Sequence, residues 1–377
     1  MSRTQPLKLG LIVNPVSGVG GPAGLGGSDG AEIQAEAQAR GAQPASQLRA
    51  ERLLRALTLR GMSAEIVTAR GAMGEDAVWA AGWEPQLVLP IPEPDRPTTA
   101  EDTTRIAAQL QALAVDVLVF AGGDGTARDV LAGAGEHAVM LGVPAGVKMH
   151  SGVFARSPEA AAGILADSSG AGVSHPVEIV DIDEEARRNG KLISRIYGRA
   201  RVLGRRGSTQ GGKIGSTMES AEPLGGIASE IRARIDAGAV VLFGPGTTVQ
   251  RVCEAMGISS TLLGVDAVVG GEVVSRNCSA DELARLTENR RVQLVVSPVG
   301  GQGFLLGRGN QQIDERVLSR VETDDLLIVC TPAKLAELAG GPMWIDAQDP
   351  ASIERFAGPR RVIIGRHHEA VVRVALA

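Results

Sequence analysis

The densest chemistry in the chain is packed into five residues, Gly122-Gly123-Asp124-Gly125-Thr126. Asp124 is the one strong acceptor among them. A carboxylate there can hold Mg2+, accept a hydroxyl proton or bind a ribose hydroxyl. The three glycines admit positive φ and let the backbone approach a ligand closely. Thr126 with Asp129 three residues on has the form of a capping box, so a helix is expected to begin here. The plainer reading is a tight turn in which Asp124 only caps that helix, but three glycines exceed what such a turn needs.

The flanking residues must position this turn. Val117 through Ala121 form an apolar run rich in β-branched types and too short for a free-standing helix, which predicts a central strand buried on both faces. Ala127 through Ala132 follow with helical composition. Strand, glycine turn and helix together put Asp124 at the carboxyl edge of a sheet, where free N–H groups and the helix dipole attract anions such as phosphate. The same alternation recurs. Strands are expected at Leu7–Val13, Ala64–Thr68, Gln86–Ile91 and Ala138–Val143. Helices are expected over 45–60, with Leu48, Leu53, Leu54 and Leu57 on one face, and from Thr98 and Thr99 to about Leu113. This pattern predicts an α/β protein with a doubly wound parallel sheet in its N-terminal domain.

Other strand ends carry polar residues too. After the first strand, Asn14 and Ser17 stand as side-chain donors in a glycine-rich loop that includes Gly18. After the strand that follows the glycine turn, Lys148, His150 and Ser151 interrupt an apolar segment, and Lys148 is the candidate for neutralising phosphate charge. Further on, Thr247 and Thr248 open a helix after Gly244-Pro-Gly246, where they bind phosphate or ribose or merely cap. Gln302, Arg308 and Asn310 belong to a dense set of amides and one guanidinium, suited to hydrogen bonding a base or carboxamide. Arg195, Arg199, Arg201 and Arg205 are placed by strand alternation on one face, either toward a phosphate or toward solvent. Gly207 through Ile214 fall one residue short of a phosphate-loop motif, because Ile214 stands where a Mg2+-binding hydroxyl is needed, and are read as a coincidental loop.

A chain of 377 residues is long enough for two domains and a large core. With 44 % hydrophobic but only 2 % aromatic residues, that core must be built from Val, Leu, Ile and Ala. Asp167 through Gly172 read as a linker closing a first domain, 1–167. The second domain, 168–377, is expected to be mixed α/β and to begin with hairpin strands, Val177–Ile182 and Lys191–Leu203, while its C-terminal strands are free to return to the first domain. A net charge of −5 argues against a nucleic-acid or anionic-membrane binder. Cys253, Cys278 and Cys330 and the five histidines have no metal-ligand spacing, so reduced thiols and a cytoplasmic location are expected.

Gly122 through Thr126 resemble the signature shared by NAD kinases, diacylglycerol and sphingosine kinases and, in near form, phosphofructokinases. Asn14-Pro-x-Ser17-Gly18 resembles the nucleotide loop of the same superfamily. The glycines from Gly18 to Gly30, Pro298–Phe304 and the 307–312 segment look most like a microbial ATP–NAD kinase branch, so the resemblance spans nearly the whole chain. Thr247 and Thr248 lie in a turn loosely similar to the Thr-Gly-Ser-Thr turn of NAD kinases. The resemblance implies phosphorylation of the 2′-hydroxyl of the adenosine ribose of NAD, with ATP or polyphosphate as donor and Mg2+ bridging the transferred group. Gly122, Gly123, Gly125 and Thr126 would hold phosphates, and Asp124 would orient or deprotonate the acceptor hydroxyl. A homo-oligomer is expected. The rival readings are a lipid or polyol kinase and a non-catalytic nucleotide-binding regulator. Val147 and Met149 depart from the Pro-x-Gly-Thr-x-Asn motif of the lipid kinases, and no amphipathic membrane-docking stretch is visible.

Overall fold

The computed structural model describes residues 6–25, 31–91, 96–146, 149–168, 174–182, 194–204, 209, 221–346 and 353–377. The chain divides into two compact units, Met1–Gly18 with Pro44–Gly212, and Val19–Gln43 with Lys213–Ala377.

The first unit is built on β1 (Leu7–Val13), β2 (Ala64–Ala69), β3 (Leu87–Leu89), β4 (Val117–Gly122), β5 (Val139–Pro144), β6 (Ser174–Ile182) and β7 (Ser194–Leu203). Their order is β3-β2-β1-β4-β5-β7-β6, parallel throughout except for β6 at the edge. Helix α1 (Ala31–Ala39) falls in the other unit. The first unit's helices are α2 (Ser46–Leu59), α3 (Glu75–Ala80), α4 (Ala100–Ala112), α5 (Asp124–Ala134) and α6 (Pro158–Ser168). Packing of α2 on α3 and α6, and of α4 on α5, gives the two helical layers of a doubly wound sheet. Every residue of β4 is buried, as its uninterrupted apolar run requires. On α2 the buried stripe is Ala50, Leu53, Leu54 and Leu57, spaced for one helical face, while Leu48 turns out to be 40 % exposed. Strand order reverses beside β1, so the carboxyl ends of β1 and β4 flank the topological switch point, where open α/β sheets bind ligands.

Nine strands form the sheet of the second unit: β8 (Val240–Phe243), β9 (Asp266–Val269), β10 (Glu272–Ser275), β11 (Val292–Val296), β12 (Phe304–Leu306), β13 (Val321–Val329), β14 (Met343–Ile345), β15 (Gly358–Gly365) and β16 (His368–Leu376). The order is β10-β9-β8-β11-β13-β15-β16-β14-β12, with β8, β11, β13 and β15 parallel at its centre. Its other helices are α7 (Ala221–Arg234), α8 (Thr247–Ala255), α9 (Ala280–Leu286), α10 (Glu315–Leu318) and α11 (Pro332–Glu337). Side chains alternate between two separate cores. Val240, Leu242, Leu294 and Ile328 enter one, while Val241, Phe243, Val295 and Val329 enter the other beneath α7 and α8.

Several expectations are corrected here. The hairpin strands do not open the second unit, because β7 pairs with β5 and so extends the first sheet past the expected boundary at 167. Nor do the last strands return to the first sheet; β15 and β16 pair within the second. A register shift between Ile179 and Val180 puts an extra residue into β7 and reverses its alternation. Arg195 therefore leaves the face shared by Arg199 and Arg201. Arg205, Lys148, the turn over 183–190 and residues 207, 208 and 210–214 of the phosphate-loop-like segment lie outside the described residues. Among the described residues no helix is long and apolar enough to cross a membrane.

Helix α4 shows how local chemistry fixes an element. Thr99 and Asp102 form a reciprocal capping box at its start. Asp102 is fully buried, and the Arg96 guanidinium beside it, with Thr99 and Arg105, holds its carboxyl well below the usual carboxylate range despite burial. A carboxyl lowered on folding stabilises the protein above its unfolded value of 3.8, and that contribution is lost as the pH falls below it. Asp102→Ala is expected to cost about 1–2 kcal/mol at neutral pH. The melting-temperature gap to wild type narrows in acid. An equal gap in calorimetry at neutral pH and below pH ~4 refutes this account.

Candidate active site

The site grows from the first turn of α5. Gly123 is the N-cap in extended conformation, and Asp124, Gly125 and Thr126 are the first three helical residues. The helix therefore starts three residues earlier than its apolar pattern indicates. Thr126 sits inside the first turn instead of capping with Asp129. None of Gly122, Gly123 and Gly125 has a positive φ. What the first two supply is space. A Cβ on Gly122 would lie 2.3 Å from the Thr126 hydroxyl, whereas one on Gly123 would, among the described residues, meet nothing nearer than Gly146 Cα at 3.8 Å.

Asp124 is 7 % exposed. Its Oδ2 accepts the backbone N–H of His150 at 2.6 Å and its Oδ1 that of Ser151 at 3.0 Å, both from the loop after β5. Burial pushes its carboxyl up to about 7, against the opposing pull of the Ser151 and His150 donors, and the nearby Asp181 charge adds to the rise. A carboxylate poised near neutrality can take a proton from an alcohol and release it again.

Asn14, just past the end of β1, ties the loop that follows β1 to α5. Its Nδ2 donates to Thr126 Oγ1 at 2.9 Å and its Oδ1 accepts from Val16 N–H at 3.2 Å. Its own N–H bonds Ala121 O, and its carbonyl accepts from Ser46 Oγ at 2.6 Å. Ser17 is buried, and its carbonyl accepts the N–H of Ala45 at 3.2 Å. Gly18 has φ +90°, and a Cβ there would lie 2.6 Å from Ala145 O. The structure thus brings Asn14, Ser17, Gly18, Gly122, Gly123, Asp124, Gly125, Thr126 and the His150 backbone together within the first unit.

The second unit treats its expected site residues differently. Thr247 opens α8, half-exposed, after Gly246 at φ +118°, while Thr248 is fully buried and accepts from Lys334 Nζ at 3.1 Å. The same ammonium donates to Ser297 Oγ at 3.0 Å. Arg308 is buried over the Phe304 ring and pairs with the buried Asp346 at 2.7 Å. Asn310 accepts from Gly307 N–H at 2.8 Å and donates to Leu305 O at 2.9 Å. These bonds tie both residues into the fold around β12. Gln302 is half-buried.

Sequence reasoning missed Asp181, Arg128 and Lys334 and gave Ser151 no role. Arg128 lies one turn beyond Asp124 on α5 and bonds Asp181 Oδ2 at 2.9 Å. Its position four residues after Asp124 was a signal available in the sequence. The partners of Ser151 and Lys334 arrive through the fold, and no sequence pattern marks them.

Two comparisons of variants follow from this geometry. Gly122→Ala should destabilise by about 1–3 kcal/mol through overpacking against Thr126. Gly123→Ala should melt like wild type but bind nucleotide more weakly, since its methyl group enters the opening toward Gly146. Normal affinity in a folded Gly123→Ala protein would remove the phosphate turn. Asn310→Ala leaves a buried N–H and carbonyl unpaired, which costs about 1–3 kcal/mol. It should lower the melting temperature with KM unchanged, and the reverse pattern would restore Asn310 to ligand binding.

Family models describe what the geometry resembles. The model of the ATP-NAD kinase N-terminal domain matches residues 9–170, and that of the ATP-NAD kinase C-terminal domain matches residues 237–374. Searches of curated proteins and of solved structures gave no significant match. The two matches together cover most of the chain and include β1, the glycine turn, the loop after β5 and the parallel centre of the second sheet. This chain therefore belongs to the ATP-NAD kinase family.

Proposed function

We propose that this protein transfers the terminal phosphoryl group of ATP to the 2′-hydroxyl of the adenosine ribose of NAD, giving NADP and ADP. The observation that carries the reading is the buried Asp124 carboxylate at the first turn of α5, clamped by two backbone N–H groups at the switch point of the first sheet. In the step, the ribose oxygen forms a bond to the γ-phosphorus as the bridging bond to ADP breaks, and Asp124 takes the hydroxyl proton. Positioning and charge neutralisation supply most of the rate in such transfers, so a rigid carboxylate suits the task. Gly123 and Gly125, half-exposed at the start of α5, present backbone to the phosphates. Thr247 and Gln302 are the proposed ligand contacts of the second unit, and Lys148 is proposed to offset phosphate charge.

Mg2+ fits this site only as the companion of a nucleotide. Among the described residues no group of three His, Cys, Asp or Glu side chains could cage a metal ion. Mg2+ keeps several waters and is commonly bound through substrate phosphates, so the donor nucleotide would bring it to the site. The phosphates of the nucleotide would hold it, and the ion would supply charge neutralisation there while Asp124 keeps the role of proton acceptor.

The test is phosphoryl transfer from radiolabelled ATP, and separately from polyphosphate, to NAD, NADH, nucleosides, a polyol and a diacylglycerol. NAD should be the preferred acceptor and ATP the preferred donor. Preferential labelling of the lipid or polyol would overturn the acceptor assignment, and transfer to none of them would favour a regulator. Asp124→Asn should lower kcat by about 10²–10⁴-fold. Because an amide offers only one acceptor oxygen to the two N–H donors, it should also lower the melting temperature. In wild type, kcat/KM should rise as the pH passes through about 7, since the base must be ionised to accept the proton. A profile flat from pH ~5 to ~9 would exclude Asp124 as the base.

A further inference from the structure

The loop that clamps Asp124 is itself held by the edge of the sheet. Ser151 is fully buried. Its N–H donates to Asp124, while its hydroxyl donates to Val180 O at 2.9 Å and accepts Val180 N–H at 3.0 Å. Gly152 N–H reaches Glu178 O at 3.2 Å. Val180 lies on β6, the edge strand, next to the register shift opposite Ile196 and Gly198. One side chain therefore satisfies both outward backbone groups of a residue that, among the described residues, has no further strand to pair with.

The next residue closes a ring. Asp181 is 9 % exposed and bonds Arg128, whose guanidinium also meets Asp129 Oδ1 at 3.2 Å and lies 5.5 Å from the centre of the Tyr197 ring. The Arg195 guanidinium also lies 5.5 Å from the centre of that ring. The path runs from Asp124 through Ser151, Val180 and Asp181 to Arg128 and back along one turn of α5. Among the described residues, the titratable and charged groups of this ring and its neighbours are Arg128 and Asp129 on α5, Asp181 on β6, Arg195 and Tyr197 on β7, and His150 on the clamping loop.

We propose that Ser151, Arg128 and Asp181 are positioning residues of the transfer reaction: the ring fixes the Asp124 carboxylate where it meets the acceptor hydroxyl, and Arg128 offsets the charge of Asp181 beside it. This rests on the reading of Asp124 as the proton acceptor. A second carboxylate near the first opposes its ionisation, and a guanidinium bound to that second carboxylate relieves the opposition. Removing either partner should therefore move the reaction's dependence on pH in opposite directions, which loss of packing alone does not do.

The test is the pH profile of kcat/KM for NAD phosphorylation in wild type, Asp181→Asn, Arg128→Gln and the double variant. The acid-side midpoint should fall by about half a pH unit in Asp181→Asn and rise by a similar amount in Arg128→Gln. The double variant should follow Asp181→Asn, because Arg128 then has no neighbouring Asp181 charge to offset. Ser151→Ala should lower kcat about tenfold with KM for NAD little changed, the pattern of a displaced base. Coincident midpoints in wild type and Asp181→Asn overturn the proposal, and that comparison stands even if Arg128→Gln does not fold. An inactive Asp124→Asn with unmoved midpoints sinks only the positioning role. An active Asp124→Asn sinks the proton-acceptor reading and this inference with it.

Discussion

The acceptance of two backbone N–H groups by the Asp124 carboxylate is the contact on which the rest of the first unit's site depends. It joins the first turn of α5 to the loop after β5, and through Ser151 to the edge of the sheet. A buried carboxylate in an apolar protein would ordinarily be neutral or paired with a cation. Here two amides hold it while burial opposes its charge, and the balance leaves it titrating near neutrality. The groups that keep it in place also keep it responsive to protons. A more strongly solvated carboxylate would ionise more readily and be a poorer base, while an unpartnered buried one would stay protonated.

Around that contact the sheet supplies order at little cost in sequence. Parallel strands buried on both faces need only apolar β-branched runs, and the reversal of strand order beside β1 opens the crevice into which Asn14 and the glycine turn project. Close backbone approach then does what large side chains do elsewhere. Gly122 makes room for Thr126, whose hydroxyl accepts from Asn14, and Gly123 lies close to Gly146. With so few aromatics in the chain, ring packing in this unit includes the Phe120–Phe154 edge contact at 5.5 Å.

The second unit has its own logic. Residues 19–43 follow the glycine loop of β1 but belong to this unit, where Ala280 N–H bonds Pro22 O and Gly21 lies against Gln311. The glycines after Gly18 and the amides after Gly307 are thus partly explained by one another. Glycine lets a backbone lie flat against amide side chains that would otherwise need a ligand or water to pack them. Arg308 and Asn310, conspicuous as polar residues in an apolar chain, are instead tied down by Asp346, Gly307 and Leu305.

The sequence by itself determined the strands β1, β4 and β5, the doubly wound character of the first sheet, the position of the glycine turn at a carboxyl edge and the candidacy of Asp124. These are local properties, written in hydrophobic period and glycine spacing within a dozen residues. It also marked Asn14 and Thr126 as polar residues near a ligand edge without revealing that they bind each other. Tertiary structure alone decided that pairing, the amide clamp from residues 26 and 27 positions beyond Asp124, and the Arg128–Asp181 ring. It alone assigned the hairpin to the first sheet, because strand pairing depends on which edge is open and not on proximity in the chain. The arginines of β7 were misplaced for a related reason. A single bulged residue reverses the alternation on which a facial reading depends, and nothing in the composition of β7 announces it.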